Sequence, residues 1–306
     1  MLIVPFLICA SAFSVNGIGE DMSVFVLPFN DINTLTRIQF TLLPEFSVMR
    51  EHGDFRNTFW SYRFQFYMAG PITQWLVLEA GNAERFNQSF DVYYEQDELA
   101  LHVKAQGALE EVYAGANVRF GPVDCALRGS YLFGTARELW NYSVGNYVIV
   151  DTFANQYRGK IFAVGARYRS LFCAYEFSGD YTVGNGTDTL IELPSRLSAG
   201  LHHHFGVGTI ELTAEHSFWH DTYSSPTRVK LAFSKDRIGC CYLYNPWYIE
   251  GVSEHGLSVS YALPVHRLGT ITFELCSALR SSGSLQEVKI SPRLVFAFDE
   301  LFTSRQ

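Results

Sequence analysis

Apolar and polar side chains alternate with a period of two along most of the chain, from about Leu35 to its end. Residues two apart lie on the same face of a β-strand, so each alternating segment predicts a strand with one apolar and one polar face. The alternation is clearest over 57–68, 110–120, 123–134, 208–218 and 226–234. Similar segments lie near 35–42, 73–80, 158–169, 171–179, 193–205, 237–244, 255–264, 268–279 and 287–299, with a weaker pair at 88–94 and 99–106. No segment shows a convincing helical period.

The connections between these strands alternate between short and long from residue 110 onward. The predicted tight turns are Gly121-Pro122, Arg169-Ser170, Gly206-Val207, Lys235-Asp236 and Pro264 to Leu268. The predicted long polar loops are 135–157, 180–192, 219–225, 245–254 and 280–286. Short turns at one end and long loops at the other are typical of outer-membrane barrels. The crossings of a Greek-key sandwich would instead scatter the long connections.

We therefore predict an all-β fold, a closed antiparallel transmembrane β-barrel of about 14 strands over residues 35–302. The number becomes 16 if residues 88–106 form an additional hairpin. Many predicted strands have the roughly 9–11 residues that a tilted membrane-spanning strand needs. Residues 303–306 are expected to form a C-terminal tail.

The N-terminal region is predicted to lie outside the barrel wall, as a signal peptide followed by a short segment. Met1 to Phe13 is apolar and contains Ala10-Ser11-Ala12, which fits a signal peptide cleaved after Ala12, so that residues 1–12 would be removed. A buried first strand is the alternative interpretation. Residues 13–34 are expected to form a short N-terminal plug or periplasmic segment.

Composition narrows the function classes. Hydrophobic residues make up 48% of the chain and charged residues 18%, which excludes intrinsic disorder. The 23 Lys and Arg are outnumbered by 31 Asp and Glu, which argues against nucleic acid as a partner. No run of eighteen apolar residues predicts a transmembrane helix. Four tryptophans fall near predicted strand ends, as expected of an aromatic girdle at the membrane interfaces: Trp60, Trp75, Trp219 and Trp247.

The alternation also assigns the side chains of a barrel to two environments. A Lys or Arg facing lipid at the membrane midplane costs about 2–4 kcal/mol, so the charged face of each strand is expected to face the lumen. The candidate ligand-binding, lumen-lining residues are Arg119, Arg128, Arg167, Arg196, His202, His204, Glu211, Glu215 and Lys230. The predicted lipid-facing neighbours are Val118, Leu127, Leu197, Leu212 and Leu231. Because the inward charges have mixed sign, we expect them to pair across strands and to narrow the lumen.

No motif for catalysis or for a cofactor emerges. G-x-S-x-G, H-E-x-x-H and P-loop sequences are absent, so we expect no enzymatic activity, no cofactor and no metal site. The five cysteines after residue 12 match no zinc spacing, and small apolar side chains are the simplest interpretation. In His202-His203-His204 the outer two share a face. With Glu211 or Glu215 they would bind a metal or sense pH, or they simply line a wet lumen.

Several blocks of sequence resemble FadL-like outer-membrane proteins of the OMPP1/FadL/TodX type. They are Glu110 to Phe120, Arg128 to Gly134, Leu193 to Gly200, Gly256 to Tyr261, and Leu268 to Leu275 followed by Gly283 to Leu285, Lys289 to Ser291 and Phe296 to Phe298. The resemblance implies a barrel of about fourteen strands with an N-terminal plug that passes hydrophobic molecules.

From barrel and resemblance together we expect a bacterial outer-membrane protein for passive uptake of hydrophobic or amphipathic small molecules, of the long-chain fatty-acid type. Its expected partners are outer-membrane lipids, the hydrophobic ligand and the barrel-assembly machinery. Two alternatives remain: a non-conducting structural barrel, and a secreted soluble all-β binding protein.

Overall fold

The computed structural model describes residues 9–11, 14–15, 20–21, 36–51, 54–96, 99–145, 147–177, 179–184, 188–219, 223–265 and 269–299. These residues form a closed barrel of fourteen antiparallel strands, three of which are interrupted. The strands are β1 (Arg37–Glu51), β2 (Asp54–Thr73), β3 (Leu76–Asn87 and Phe90–Gln96), β4 (Leu99–Phe120), β5 (Val123–Val144), β6 (Tyr147–Tyr168), β7 (Leu171–Glu176 and Asp180–Gly184), β8 (Asp188–Glu192 and Ser195–Phe205), β9 (Gly208–Phe218), β10 (Thr227–Lys235), β11 (Ile238–Pro246), β12 (Ser253–Val265), β13 (Gly269–Ser282) and β14 (Leu285–Asp299).

The barrel closes because β14 pairs with β1, from Leu285 opposite Glu51 to Asp299 opposite Arg37. The predicted fold class and the count of fourteen are confirmed. The alternative of sixteen strands is wrong, because residues 90–96 and 99–105 pair with each other as extensions of β3 and β4 and add no strand to the circuit.

The two ends of the barrel differ, and we call them the turn end and the loop end. The turn end carries two-residue connections at 74–75, 121–122, 169–170, 206–207 and 236–237. The loop end carries Gly145 between β5 and β6, Trp219 and residues 223–226 between β9 and β10, and the longer connection 247–252. The hairpins β5–β6 and β7–β8 therefore point away from the turns at 121–122 and 206–207, as the alternation predicts.

The predicted loop at 135–157 is wrong. β5 and β6 each run for 22 residues and stay paired to Val144 and Tyr147. The predicted loop at 180–192 likewise contains paired strand segments, and that at 280–286 shrinks to a turn at 283–284. Polar residues end the apolar alternation there and suggest a loop. A hairpin outside the hydrocarbon needs no apolar face, however, so the strands continue.

The predicted signal peptide and plug lie largely outside the described residues, as does the tail at 303–306. Within that region, Cys9–Ser11 pairs with Ser14–Val15, and Glu20–Asp21 pairs with Asn87 and Phe86 of β3. Glu20–Asp21 thus joins the wall of the barrel as a short strand beside β3.

The wall divides between β2 and β3 on the way to the loop end. Their described pairing ends where Phe66 lies opposite Asn82. There the Asn82 side chain replaces the backbone pairing. It accepts a hydrogen bond from the Phe66 amide at 2.7 Å and donates one to the Phe64 carbonyl at 3.4 Å. Farther on, β3 is irregular between Glu84 and Phe86 and pairs with Glu20–Asp21. We call this divergence the β2–β3 split.

The outer surface carries a band of large apolar side chains. Leu127, Leu212, Leu231 and Phe162 are each 43–48% exposed, although all are large hydrophobic residues. A continuous band of this kind around a closed sheet is the surface that lipid tails contact. No helix of the described residues is long and apolar enough to cross a membrane.

The backbone at Gly107, in the part of β4 that extends beyond the apolar band, leaves no room for a larger side chain. It has φ +154°, and a Cβ built there would lie 2.2 Å from the Thr135 carbonyl oxygen and 2.4 Å from the Ala136 Cα. We expect Gly107→Ala to lower the free energy of unfolding by about 1–3 kcal/mol, the cost of a strained backbone. The measurement is denaturant unfolding of the protein in lipid vesicles.

The matched control is Gly129→Ala on β5, where a Cβ meets nothing within 4 Å. We expect its stability to stay close to that of the wild type. Equal loss in both variants would show that the backbone at Gly107 is not specially constrained.

Candidate functional site

The lumen is where the charged side chains of the strands meet, and the structure places all nine predicted residues on the inward faces. Their outward neighbours Leu127, Leu197, Leu212 and Leu231 are 39–48% exposed to the outside of the barrel. Val118 shares the outward face of β4 with Val112 and Phe120. The period of two therefore sorts polar and apolar side chains as the sequence suggests.

A cavity of about 640 Å³ occupies the turn-end half of the lumen, on the side formed by β8 to β14 with β1 and β2. Its lining includes two half-exposed ion pairs. The Lys230 Nζ lies 2.8 Å from the Glu211 carboxylate, and the Arg293 guanidinium lies 3.1 Å from Glu274. His202 also lines this cavity. The paired charges give the cavity a polar character.

The histidine cluster forms no metal site. The rings of His202 and His204 lie 4.8 Å apart, and His204 shares a 2.6 Å hydrogen bond with Thr209. His203 points outward and shares a hydrogen bond with Ser170. Among the described residues, no group of three His, Cys, Asp or Glu side chains is placed to hold a metal ion.

Arg119 and Arg167 meet at the rim of the turn end. Both bind the carboxylate of Asp124, at 2.7 and 2.6 Å. Arg128 lies one layer deeper. It pairs with Glu79 at 3.2 Å and places its guanidinium over the Tyr113 ring at 4.1 Å. These three arginines are therefore engaged within the wall and its lining.

A layer of buried ion pairs crosses the middle of the lumen. Its centre is Glu176 of β7, which binds Arg196 of β8 at 2.9 Å and Arg85 of β3 through both carboxylate oxygens. Glu215 lies between Arg196 at 3.8 Å and Arg228 at 3.5 Å. These five side chains are at most 5% exposed.

The same layer continues on the other side of the lumen. Arg280 of β13 binds Glu254 and Glu287, each at 2.5 Å. Glu45 of β1 binds Arg63 and Lys289. Arg63 also binds Glu84 at 3.3 Å, just beyond the β2–β3 split. We call the whole set the charge layer: Glu45, Arg63, Glu84, Arg85, Glu176, Arg196, Glu215, Arg228, Glu254, Arg280, Glu287 and Lys289.

An apolar cluster closes the lumen above the charge layer, at the loop end. Trp219, Tyr223 and the connection 247–252 fold inward there. We call this cluster the aromatic cap: Phe86, Leu109, Leu132, Ala136, Tyr157, Ile161, Leu193, Trp219, Tyr223, Trp247, Tyr248, Ile249 and Val252. Arg280 links the two layers, because its guanidinium stacks 4.1 Å from the Trp247 ring.

The girdle interpretation fails for two of the four tryptophans. Trp219 and Trp247 are 9% and 3% exposed and pack inside the cap, since the connections that carry them turn into the mouth. Trp75 is 54% exposed at the turn end, as a girdle residue would be. The Trp60 side chain lies outside the described residues.

Sequence reasoning missed much of the charge layer. Glu254 and Arg280 fell in segments interpreted as loops. Arg85 lies where β3 is irregular, so a strict period of two fails to orient it. Glu176 lies within a predicted strand, but its two partners come from β3 and β8, and no local signal identifies them.

No family model matches the sequence, and no curated relative does. Solved structures do resemble it. The Pseudomonas putida toluene transporter TodX superposes with a TM-score of 0.61 at 10% identity, covering 87% of this chain and 89% of that one. The Ralstonia pickettii toluene transporter TbuX gives 0.58 at 11%, covering 88% and 90%. A Pseudomonas aeruginosa FadL homologue gives 0.54 at 8%, covering 87% and 89%. The barrel is therefore FadL-like in fold, which confirms the resemblance seen in the sequence.

The charge layer predicts a large difference between two ion-pair substitutions. Arg196→Met leaves Glu176 and Glu215 short of one buried cation, so we expect a loss of about 3–5 kcal/mol in the free energy of unfolding. Lys230→Met removes a partly exposed cation from the cavity, with an expected loss of about 0–1 kcal/mol. Denaturant titration in lipid vesicles measures both, and similar losses would contradict the burial of the layer.

Proposed function

We propose that this protein is a bacterial outer-membrane channel for passive uptake of hydrophobic or amphipathic small molecules, of which long-chain fatty acids are one class. On this proposal the chain acts without a catalytic step or a cofactor. Outer-membrane lipids surround it, and the barrel-assembly machinery inserts it. The FadL-like fold supports the proposal. Among the similar structures, TbuX and TodX are toluene transporters and CymD is a monoaromatic hydrocarbon channel.

The aromatic cap is the observation that carries the proposal. A general porin has a water-filled lumen, whereas here a cluster of tryptophan, tyrosine and aliphatic side chains fills the mouth. Small polar solutes would lose their hydration in such a cluster. Apolar solutes gain free energy on entering it, about 25 cal/mol per Å² of apolar surface removed from water.

The charge layer restricts where an apolar molecule goes next. Passing straight through would separate buried ion pairs such as Arg280–Glu254, and a buried charge without its partner is costly. The β2–β3 split lies at the same level, since Glu84 beyond the split pairs with Arg63 of the layer. We infer that the molecule leaves the cap sideways through this split into the membrane.

A non-conducting barrel is the second candidate, and the charge layer favours it. The layer spans the lumen from β7 and β8 to β13 and β1, and its members pair with one another. If no rearrangement frees the split, the protein would only stabilise the membrane. A soluble binding protein fits less well, because the apolar band would face water.

Uptake measurements distinguish these candidates. The channel should speed entry of oleate or toluene into bacterial cells that lack their own hydrophobic-compound channels, where the outer leaflet is the barrier. The same purified protein should admit arabinose only slowly in liposome swelling. Fast sugar entry would favour a general porin. If neither solute enters faster than with an empty vector, the non-conducting barrel is the better description.

The cap itself is tested by Trp247→Ala. Removing this indole opens the mouth and takes the aromatic ring from Arg280, so we expect faster arabinose entry and slower oleate uptake. Trp75→Ala is the matched control, because Trp75 is exposed on the outside at the turn end. If Trp247→Ala behaves like Trp75→Ala in both assays, the cap is not the barrier to sugars.

A further inference from the structure

The strands β3 to β6 continue beyond the apolar band as a small antiparallel sheet at the loop end. We call it the extension sheet, and it consists of residues 90–96, 99–105, 137–144 and 147–155. The inward series of β5 runs from Ala136, a residue of the aromatic cap, to Glu138, Trp140 and Tyr142. The inner face of the extension sheet therefore borders the mouth of the barrel, above the cap.

Two acidic and two aromatic side chains alternate around one square of this inner face. Glu138 of β5 is directly opposite Phe153 of β6, and Trp140 is directly opposite Asp151. The two acids are thus diagonal neighbours, which in an antiparallel pair are about 7–8 Å apart. At that spacing one cation between Glu138 and Asp151 is within reach of both carboxylates.

Glu138 is a buried carboxylate without a cationic partner. It is only 5% exposed. The Trp140 indole N–H donates a hydrogen bond to one carboxylate oxygen at 3.0 Å, and no described residue pairs with the other oxygen. A buried charge is costly unless it is paired, and one neutral donor offsets only part of that cost. A cation bound beside Glu138 would supply the missing charge.

The described inner face offers no basic side chain to offset these two acids. Apart from Glu138 and Asp151, the inward residues are neutral over three stretches: 101–109 of β4, 132–144 of β5 and 147–157 of β6. Lys104 and Arg137 have the opposite parity and lie on the outward face. The charge layer lies on the other side of the aromatic cap. The inner face is therefore negative and apolar, a combination that attracts cations.

Three aromatic rings add a second attraction for a cation. Trp140 stacks on Tyr142 with ring centroids 5.8 Å apart, and it meets Phe153 edge to face at 6.2 Å. The faces of such rings attract ammonium groups, and tryptophan does so most strongly. The surface is also accessible, since Asp151 is exposed and Phe153 is 39% exposed. Ile149 extends it with an apolar side chain that is 62% exposed.

We propose that the inner face of the extension sheet binds a hydrophobic organic cation, an amine or quaternary ammonium with an aromatic or short alkyl body. The ammonium group lies between Glu138 and Asp151, against the Trp140 and Phe153 rings, and the apolar body lies along Ile149. Two like charges would repel a carboxylate ligand from the same position. The inference adds a ligand class to the proposed function and rests on it for any role in uptake, whereas binding does not depend on transport.

The test is isothermal titration calorimetry of benzyltrimethylammonium with the purified full-length protein in a neutral detergent. We expect this cation to bind and benzylsulfonate, an anion of similar size, not to bind. Glu138→Gln keeps an oxygen for the Trp140 N–H, and it should weaken binding roughly tenfold or more because charges attract strongly where water is scarce. Phe153→Leu should weaken binding about two- to fivefold, the range of one cation–π contact.

Glu110→Gln is the matched control, because it removes the same charge from the outward face of β4, and we expect it to bind like the wild type. Equal binding by Glu138→Gln and the control, or equal binding of cation and sulfonate, would overturn the site. Heat-modifiable migration in SDS shows that each variant forms the barrel. Toluene uptake is measured on the same variants. If toluene enters and the cation does not bind, the site fails and the channel stands; if the cation binds as expected and toluene does not enter, the reverse holds.

Discussion

Closure of the backbone ladder between β14 and β1 is the constraint on which the rest of the structure depends. It joins Leu285 to Glu51 and Asp299 to Arg37, residues far apart in the chain. Hydrocarbon offers no water to unpaired backbone groups, so an open sheet edge is not tolerated there. The β2–β3 split shows the same constraint locally, since the Asn82 side chain supplies the hydrogen bonds that the diverging strand no longer makes to Phe66 and Phe64.

Closure of the barrel brings the charged side chains of its strands together in the lumen. Once one face of every strand is given to lipid, the charged side chains share one narrow interior with little water. There each must find a partner, because an isolated buried charge is far more costly than a paired one. Glu176 accordingly binds two arginines from different strands, and Arg280 binds two glutamates. Among the described residues, a layer of ion pairs therefore crosses the lumen, where a general porin keeps water.

Much of the barrel can be predicted from the sequence. A strand that crosses hydrocarbon needs apolar side chains on its lipid face, so apolar and polar residues alternate with a period of two. The alternation places Arg128 and Leu127 on opposite faces, as the structure does, and the number of alternating segments predicts fourteen strands. Where hydrocarbon ends, the constraint ends, so the paired extensions of β5 and β6 were interpreted as a loop. The girdle rule places Trp219 and Trp247 at the membrane interface. It takes no account of a connection that folds inward, as these two residues do. The Arg85–Glu176 pair spans β3 and β7, and only the curvature of the closed sheet brings those two side chains together.

On the proposed function, the cap and the charge layer would act against different solutes, and their order along the lumen would give the barrel its selectivity. The cap excludes water from the mouth, which lowers the dielectric constant over the ion pairs beneath it and strengthens them. Trp247 contacts both, through the cap and through the Arg280 guanidinium. In this proposal a polar solute would be stopped by the first layer and an apolar solute by the second. An apolar molecule held between them would have a lower-cost exit where the described wall is incomplete, and the β2–β3 split lies at that level, beside Glu84 and Arg63.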